Sequence, residues 1–165
     1  MTALYIIIVL VALQRLAELW LAARNTRLLK AQGGIETGAR HYPLFILLHA
    51  SWLLAILLTT PADAPVNWWI LSAFVILQLG RLWVIVTLGC FWTTRIISVP
   101  GVPLIKKGLY RFVSHPNYII VTGEIALLPL AFGNWPVAVV WSVLNALLLA
   151  WRIHVEDIAL AGRRL

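Results

Sequence analysis

Long apolar stretches constrain this chain more than any other feature of its sequence. A helix that crosses about 30 Å of hydrocarbon needs about 20 apolar residues. Five stretches approach that length and fill most of the 165 residues. We therefore predict an all-α integral membrane protein, with one transmembrane domain over residues 1–165 and about five spans. The predicted spans are residues 3–23, 43–60, 68–89, 117–132 and 136–151.

Composition and charge exclude several other classes. Hydrophobic residues make up 62% of the chain and charged residues only 12%, whereas soluble domains are about half apolar and a quarter charged. The net charge of +7 is distributed over short segments between the apolar stretches, so membrane topology explains it better than nucleic-acid binding. The single cysteine, Cys90, excludes an intrachain disulfide. No spacing of His, Cys or acidic residues predicts a metal site.

The basic residues predict the orientation of the chain in the membrane. They are confined to alternate connections, and the second and fourth connections carry none. By the positive-inside rule the N-terminus is then outside and the C-terminus cytoplasmic. The basic residues are Arg24, Arg27, Lys30 and Arg40 in the first connection, Arg95, Lys106, Lys107 and Arg111 in the third, and Arg163 and Arg164 in the tail.

Two connections have distinctive lengths. Residues 90–116 contain the segment Val99-Pro100-Gly101-Val102-Pro103 together with many apolar and aromatic residues. Long loops that are not of low complexity are usually functional, so we expect this one to lie along the cytoplasmic interface and cap the site. The last two predicted spans are joined only by Gly133, Asn134 and Trp135, which predicts a tight antiparallel hairpin. No strand is expected.

Several polar residues fall inside the predicted spans, where charge is costly and normally faces the interior of a helix bundle. Arg15 and Glu18 are three residues apart and can pair on one helix face. Glu124 needs either a cation or a proton, and both a structural and a catalytic role remain open. The residues are Gln14, Arg15, Glu18, His49, Gln78, Arg81, Glu124 and Asn145.

The start of the fourth span has the features of a ligand site. Ser114 can cap the helix and Pro116 is tolerated in its first turn, and the free N–H groups there suit an anionic ligand group. His115 and Tyr118 share one face of this helix. Arg152 and Glu156 share one face of the next helix, which the hairpin brings to the same end. These four groups predict a site for a zwitterionic ligand, with a purely structural cluster as the alternative. The site residues are His115, Pro116, Tyr118, Arg152 and Glu156.

Two motifs in this region resemble a known family. Gly108-Leu109-Tyr110-Arg111 leading into His115-Pro116-Asn117-Tyr118, then Arg152 and Glu156-Asp157, is similar to the isoprenylcysteine carboxyl methyltransferase family. Trp92-Thr93-Thr94-Arg95 through Val99-Pro100-Gly101, and His41-Tyr42-Pro43, look like its bacterial subgroup that is thought to O-methylate phenolic lipids such as alkylresorcinols and alkylpyrones. Members are integral membrane enzymes that use S-adenosylmethionine.

The resemblance implies roles for the site residues and a setting for the reaction. S-adenosylmethionine is the implied cofactor, with catalysis in a bacterial inner membrane and a site that faces the cytoplasm. The implied acceptor is a lipophilic small molecule that enters laterally between helices, in a groove lined by residues such as Leu127, Leu144 and Leu148. Carried over by position, the resemblance implies that His115, Tyr118, Arg152 and Glu156 contact the cofactor. The predicted cofactor contacts in full are Tyr110, His115, Pro116, Tyr118, Arg152 and Glu156. The predicted catalytic residues are Arg152, Glu156 and Glu124, and the chemistry of a phenolic acceptor makes Glu124 and His115 the candidate bases.

Three alternatives remain open at the level of sequence. The acceptor can be the carboxylate of a prenylcysteine-like substrate. The His-Pro-Asn-Tyr motif also resembles membrane sterol-type reductases, which use NADPH. A small transporter or assembly subunit would explain the helices and the buried charges without any catalysis.

Overall fold

The structure is a computed structural model that describes residues 3–39, 42–103, 105 and 107–160, without the side chains of residues 157, 159 and 160. The predictions that involve Arg40, His41, Lys106, Arg163 and Arg164 lie outside this part of the chain. The described elements are α1 (Ala3–Ala31), β1 (Ile35–Thr37), α2 (Tyr42–Thr59), α3 (Trp68–Leu88), β2 (Ile96–Ser98), α4 (Pro116–Ala131) and α5 (Trp135–Leu160), with single 3₁₀ turns at Gly89–Phe91 and Gly108–Arg111.

The helices agree with an integral membrane protein. Of the described helices, α1, α2, α3 and α5 are each long and apolar enough to cross a bilayer. The fourth predicted span, α4, is apolar but has only 16 residues, or about 24 Å at 1.5 Å per residue. It is therefore shorter than the ~30 Å hydrocarbon layer, and four helices rather than five have the full length.

Two helices extend well beyond their predicted ends. The first was expected to stop at residue 23 and continues to Ala31, and the last was expected to stop at residue 151 and continues to Leu160. Hydropathy marks where the hydrocarbon ends, whereas polar residues such as arginine and lysine continue a helix readily into the interface. Arg24, Arg27 and Lys30 consequently lie on α1 and not in a loop.

The expectation that the chain has no strands is wrong. Residues Ile35–Thr37 pair antiparallel with Ile96–Ser98, with Glu36 opposite Ile97. The Glu36 carboxylate binds Lys30 on α1 and lies 2.6 Å from Arg95 Nη1 beside β2. Three-residue strands that pair across about 60 residues of sequence leave no local periodicity to read. This sheet joins the first connection to the long third one.

The tight hairpin between α4 and α5 is confirmed. Helix α4 ends at Ala131, Gly133 turns the chain with φ of 71°, and α5 begins at Trp135. Asn134 Nδ2 donates hydrogen bonds of 2.8 Å to the hydroxyls of Thr59 and Thr60. These contacts place the α2–α3 and α4–α5 connections at one end of the bundle. The sheet, the start of α4 and the end of α5 lie at the opposite end, which we name the basic end.

A buried hydrogen bond shows how the core tolerates a proline inside α4. Pro129 has no N–H, so the carbonyl of Ile125, four residues earlier, loses its helical donor. The indole Nε1 of Trp52 on α2 donates to that carbonyl at 3.2 Å. Both side chains are almost fully buried. Because no water is present in a bilayer interior to satisfy a freed carbonyl, this bond fixes α2 against α4.

Candidate functional site

The start of α4 differs from its predicted cap. Pro116 occupies the first turn as predicted, but the N-cap residue is His115 and its side chain makes no capping hydrogen bond. The predicted cap by Ser114 is therefore wrong, because the helix begins one residue later. The imidazole of His115 instead stacks on the Tyr118 ring, with centroids 5.1 Å apart and an interplanar angle of 11°.

Tyr118 joins the residues that the sequence placed in one site. Its hydroxyl accepts a hydrogen bond of 2.8 Å from Arg152 Nε and donates to the Glu156 carboxylate. His115 Nδ1 lies 3.9 Å from Glu156 Oε2. Helices α4 and α5 thus bring an imidazole, a phenol, a guanidinium and a carboxylate together at the basic end. We call His115, Tyr118, Arg152 and Glu156 the polar cluster.

Helix α2 adds an aromatic residue that the sequence analysis missed. The guanidinium carbon of Arg152 lies 5.2 Å from the centre of the Phe45 ring and 5.8 Å from that of Tyr118. An arginine over an aromatic face is attracted by the ring quadrupole. One turn earlier on the same helix, the guanidinium carbon of Arg95 lies over the Tyr42 ring, 4.3 Å from its centre. No local signal separates Phe45 from the other apolar residues of α2, so only the fold reveals its contact.

Tyr110 approaches the polar cluster from the 3₁₀ turn at Gly108–Arg111. Burial, and to a lesser extent the Glu156 carboxylate, raises the pKa of Tyr110 to about 12, so its phenol is neutral at physiological pH. The turn needs glycine at position 108, where φ is +56° and a Cβ atom would lie 2.8 Å from Thr87 Oγ1. That glycine allows the turn to pack closely against α3.

A groove of about 520 Å³ adjoins the polar cluster. Its volume lies within the range of ligand pockets. The groove lies nearer the basic end than the predicted acceptor groove, and Leu127, Leu144 and Leu148 are not among its lining residues. The acceptor groove along those leucines stays a prediction. The lining residues of the observed groove are Val113, Ser114, His115, Tyr118, Ile119, Thr122, Leu149 and Ile153. His115 and Tyr118 therefore belong both to the polar cluster and to a mostly apolar groove.

Glu124 lies in a separate buried network. Its carboxylate accepts hydrogen bonds from Arg15 Nη2 at 2.7 Å, Gln78 Nε2 at 2.8 Å and Arg81 Nε at 2.9 Å, and a fourth from Arg81 Nη2. Glu18 accepts from Arg15 at 2.8 Å, as the sequence predicts, and from Arg81 at 3.1 Å. Two arginines and two glutamates thus balance their charges across α1, α3 and α4.

The position of this network bears on the predicted catalytic role of Glu124. A carboxylate offers about four lone-pair positions, and four donors surround this one. Glu124 is fully buried and six residues beyond Tyr118, or about 9 Å along the helix axis. Its role as a base stays a prediction. Among the described residues, no three His, Cys, Asp or Glu side chains are grouped as metal ligands.

Fold and site define an integral membrane protein of the α class with a polar cluster at one end of its helix bundle. The model of the isoprenylcysteine carboxyl methyltransferase family matches residues 69–162, which is more than half of the chain. The chain therefore belongs to the isoprenylcysteine carboxyl methyltransferase family, and membership implies a membrane methyltransferase. The whole polar cluster falls within the matched residues, whereas Phe45, Arg15 and Glu18 precede them.

Two bacterial proteins are similar over nearly their full lengths. "Uncharacterized protein YpbQ" of Bacillus subtilis (strain 168) is 40% identical over 160 residues, which cover 94% of this chain and 95% of that protein. An "Uncharacterized protein" of Haemophilus influenzae (strain ATCC 51907 / DSM 11121 / KW20 / Rd) is 29% identical over 152 residues, covering 89% of this chain and 88% of that one. No solved structure matches the chain.

Proposed function

We propose that this protein transfers the methyl group of S-adenosylmethionine to the oxygen of a long-chain phenol or hydroxypyrone in the membrane. One observation carries the proposal: His115 and Tyr118 are shared by a polar cluster and an apolar groove. A methyltransferase with a lipid acceptor must place a charged, water-soluble donor next to an apolar acceptor. The proposed site meets both needs at the basic end of the bundle.

The polar cluster suits the chemistry of the donor. Tyr118 engages Arg152 through Nε, which leaves the two terminal nitrogens of the guanidinium to bind the methionine carboxylate in a bidentate manner. Glu156 can accept hydrogen bonds from the ammonium or the ribose hydroxyls. The faces of Phe45 and Tyr118, which already attract Arg152, also favour a cationic sulfur nearby. The bound cofactor supplies a methyl group activated by the positive charge of its sulfonium.

The reaction needs alignment and a proton acceptor. A bond forms between the acceptor oxygen and the methyl carbon as the carbon–sulfur bond breaks, and the sulfur leaves as a neutral thioether. Alignment of the two reactants can supply about 7–11 kcal/mol of the barrier. A phenol with a pKa of about 10 must also lose its proton. We assign that step to His115, which lines the groove and lies near Glu156, because four donors already occupy Glu124.

The proposed acceptor is a free lipid and not a protein. A stable protein interface buries about 800 Å² on each partner. The basic end has only the first connection, the longer connection of residues 90–116 and the C-terminal tail, which offer little of that surface. A lipid needs only a groove between helices such as the one beside α4 and α5. The family's name favours a second candidate, the carboxylate of a prenylcysteine-like molecule, which is already anionic and needs no base.

The proposal includes the setting of the reaction. The donor is water-soluble and is made in the cytoplasm, so the basic end should face that side, as the positive-inside rule also requires. Described basic residues of this end, which include Arg24, Arg27, Lys30, Arg95, Lys107 and Arg111, agree with that orientation. In a bacterium the membrane concerned would be the inner one.

The direct test supplies purified protein with labelled S-adenosylmethionine and one of two acceptors, an alkylresorcinol or an S-farnesylcysteine derivative. We expect label on the phenolic oxygen, with a rate that rises as pH approaches the pKa of the acceptor. Label only on the farnesylcysteine carboxylate would replace the proposed acceptor and keep the donor. Oxidation of NADPH with no methyl transfer would replace the donor and support the reductase alternative.

Binding of the donor is tested separately from turnover. S-adenosylhomocysteine at 100 times its dissociation constant should stabilise the folded protein by about 2.7 kcal/mol. NADPH is the matched negative ligand. If calorimetry on folded protein detects no binding of S-adenosylhomocysteine, the methyltransferase proposal fails.

A further inference from the structure

One face of α1 is exposed along the length of the helix. Its residues follow one another at intervals of three or four, and both Arg27 and Leu28 continue the series after Arg24, so all of them lie on one side of the helix. We name this face the α1 stripe. Trp20, which is 66% exposed, separates an apolar part from a basic part. The α1 stripe consists of Leu10, Leu13, Leu16, Trp20, Arg24, Arg27 and Leu28.

The length of α1 places the basic part at the level of lipid headgroups. The helix begins at Ala3, and about 20 residues cross the hydrocarbon layer. Arg24 is the first charged residue beyond that length, Arg27 is nearly one turn further, and Trp20 is one turn deeper. Tryptophan favours this boundary because one edge of its ring is apolar and its N–H is polar.

The two arginines of the α1 stripe have no carboxylate partner among the side chains that the structure describes. Within the described part of the chain, neither Arg24 nor Arg27 forms an ion pair, whereas Lys30 and Arg95 bind Glu36. Together with Trp20 and Leu28 they line a surface depression of about 390 Å³. Two cations three residues apart over such a depression can share a single phosphate group.

We propose that the α1 stripe binds one anionic phospholipid, with its phosphate between Arg24 and Arg27 and an acyl chain along Leu13 and Leu16. Charge complementarity selects this occupant. A zwitterionic lipid would bring a cationic ammonium group next to the two arginines. A second copy related by two-fold symmetry would bring two more arginines to the same place. In both cases like charges would repel, whereas an anionic phosphate is attracted. This inference does not depend on the proposed function.

Native mass spectrometry of the full chain tests the proposal. The protein is equilibrated in detergent with equal amounts of phosphatidylglycerol and phosphatidylcholine. We expect one phosphatidylglycerol to be retained preferentially, and the R24Q/R27Q double variant to weaken that retention about tenfold or more. R24K/R27K should keep most of it, because the charge remains. R111Q is the matched control, since Arg111 is also exposed at the basic end but lies outside the α1 stripe.

Each other outcome would overturn the inference. Equal retention of the two lipids would mean that the arginines do not select charge. Equal losses in R24Q/R27Q and R111Q would mean that only net charge matters. A wild-type dimer that R24Q/R27Q dissociates would identify a second copy as the occupant of the α1 stripe.

Discussion

Replacing Arg81 with methionine removes a buried cation from the network around Glu124. Arg81 is 4% exposed and Glu124 is not exposed at all. Arg81 supplies two of the four hydrogen bonds to Glu124 and one to Glu18. In the variant, Arg15 alone must neutralise two carboxylates, so one negative charge remains buried. Breaking a buried pair by removing one partner costs about 3–5 kcal/mol, and we expect that loss of stability.

A second substitution separates the stranded charge from the loss of packing. Glu124→Met alone leaves two arginines with one carboxylate and should also cost about 3–5 kcal/mol. The double variant Arg81→Met/Glu124→Met leaves Arg15 paired with Glu18 at 2.8 Å, so the network is neutral again. We therefore expect the double variant to lose no more than either single variant. The coupling energy would then be about 3 kcal/mol, at the upper end of what contacting residues show.

The assay is reversible unfolding of the purified protein in mixed lipid and sodium dodecyl sulfate micelles. Arg111→Met is the matched control, because Arg111 is exposed and its loss should change stability by about 0.5 kcal/mol or less. Additive losses in the double variant would refute the coupling argued here. So would a loss below 1 kcal/mol in either single variant, since no stranded charge is then present.

The double variant Arg81→Met/Glu124→Met also tests whether Glu124 takes part in catalysis. If Glu124 only holds helices together, the folded double variant should keep a kcat close to that of the wild type. If Glu124 is the base, the folded double variant should lose most of its kcat, with S-adenosylhomocysteine affinity unchanged. Our assignment of the base to His115 requires the first result.

Other substitutions test the site, the sheet and the topology. Arg152→Ala should weaken S-adenosylhomocysteine binding by about 2–5 kcal/mol by calorimetry, since it removes the partner of a ligand carboxylate; unchanged affinity would contradict this. If the ring face of Phe45 positions the Arg152 guanidinium, Phe45→Leu should weaken S-adenosylhomocysteine binding by about 0.5–2 kcal/mol, whereas Phe45→Tyr should keep the wild-type affinity because it retains an aromatic ring. Burial raises the pKa of Glu36, but the hydrogen bonds from Lys30 and Arg95 outweigh burial and hold that pKa below its ordinary value. The ionised Glu36 carboxylate therefore stabilises the folded protein above about pH 4.3. This stabilisation is lost as the pH falls through the lowered pKa. Thermal unfolding of Glu36→Gln should therefore match the wild type more closely in acid than at neutral pH. A reporter that works only in the cytoplasm should be active when it is fused after Leu165. If instead only a reporter that works outside the cytoplasm is active there, the predicted orientation is reversed.

Much of the site was predictable because its geometry follows from helical spacing. The three-residue interval between His115 and Tyr118 and the four-residue interval between Arg152 and Glu156 each define one helix face. The three-residue connection between α4 and α5 then leaves an antiparallel hairpin as the only arrangement that brings both faces together. The pairing of Arg15 with Glu18 follows from the same rule.

The contacts between distant segments were not predictable from the same rules. The pairing of β1 with β2, the position of Phe45 beneath Arg152 and the contacts from Arg15 and Arg81 to Glu124 all join residues far apart in sequence. Nothing in the local pattern says which of several buried cations reaches which carboxylate. The C-terminal ends of α1 and α5 were also predicted too early, because hydropathy reports the lipid boundary and not the end of the helix.

The sequence by itself therefore determined that this protein is a mostly helical membrane protein, that α4 and α5 form a hairpin and which residues meet at the start of α4. These depend on hydropathy and on helical periodicity, which are local properties of the chain. Only the tertiary structure decided that Glu124 is neutralised by two arginines, that α2 contributes a ring to the polar cluster and that a small sheet joins two connections at the basic end. Those contacts depend on how the helices pack and rotate against one another, which no single segment encodes.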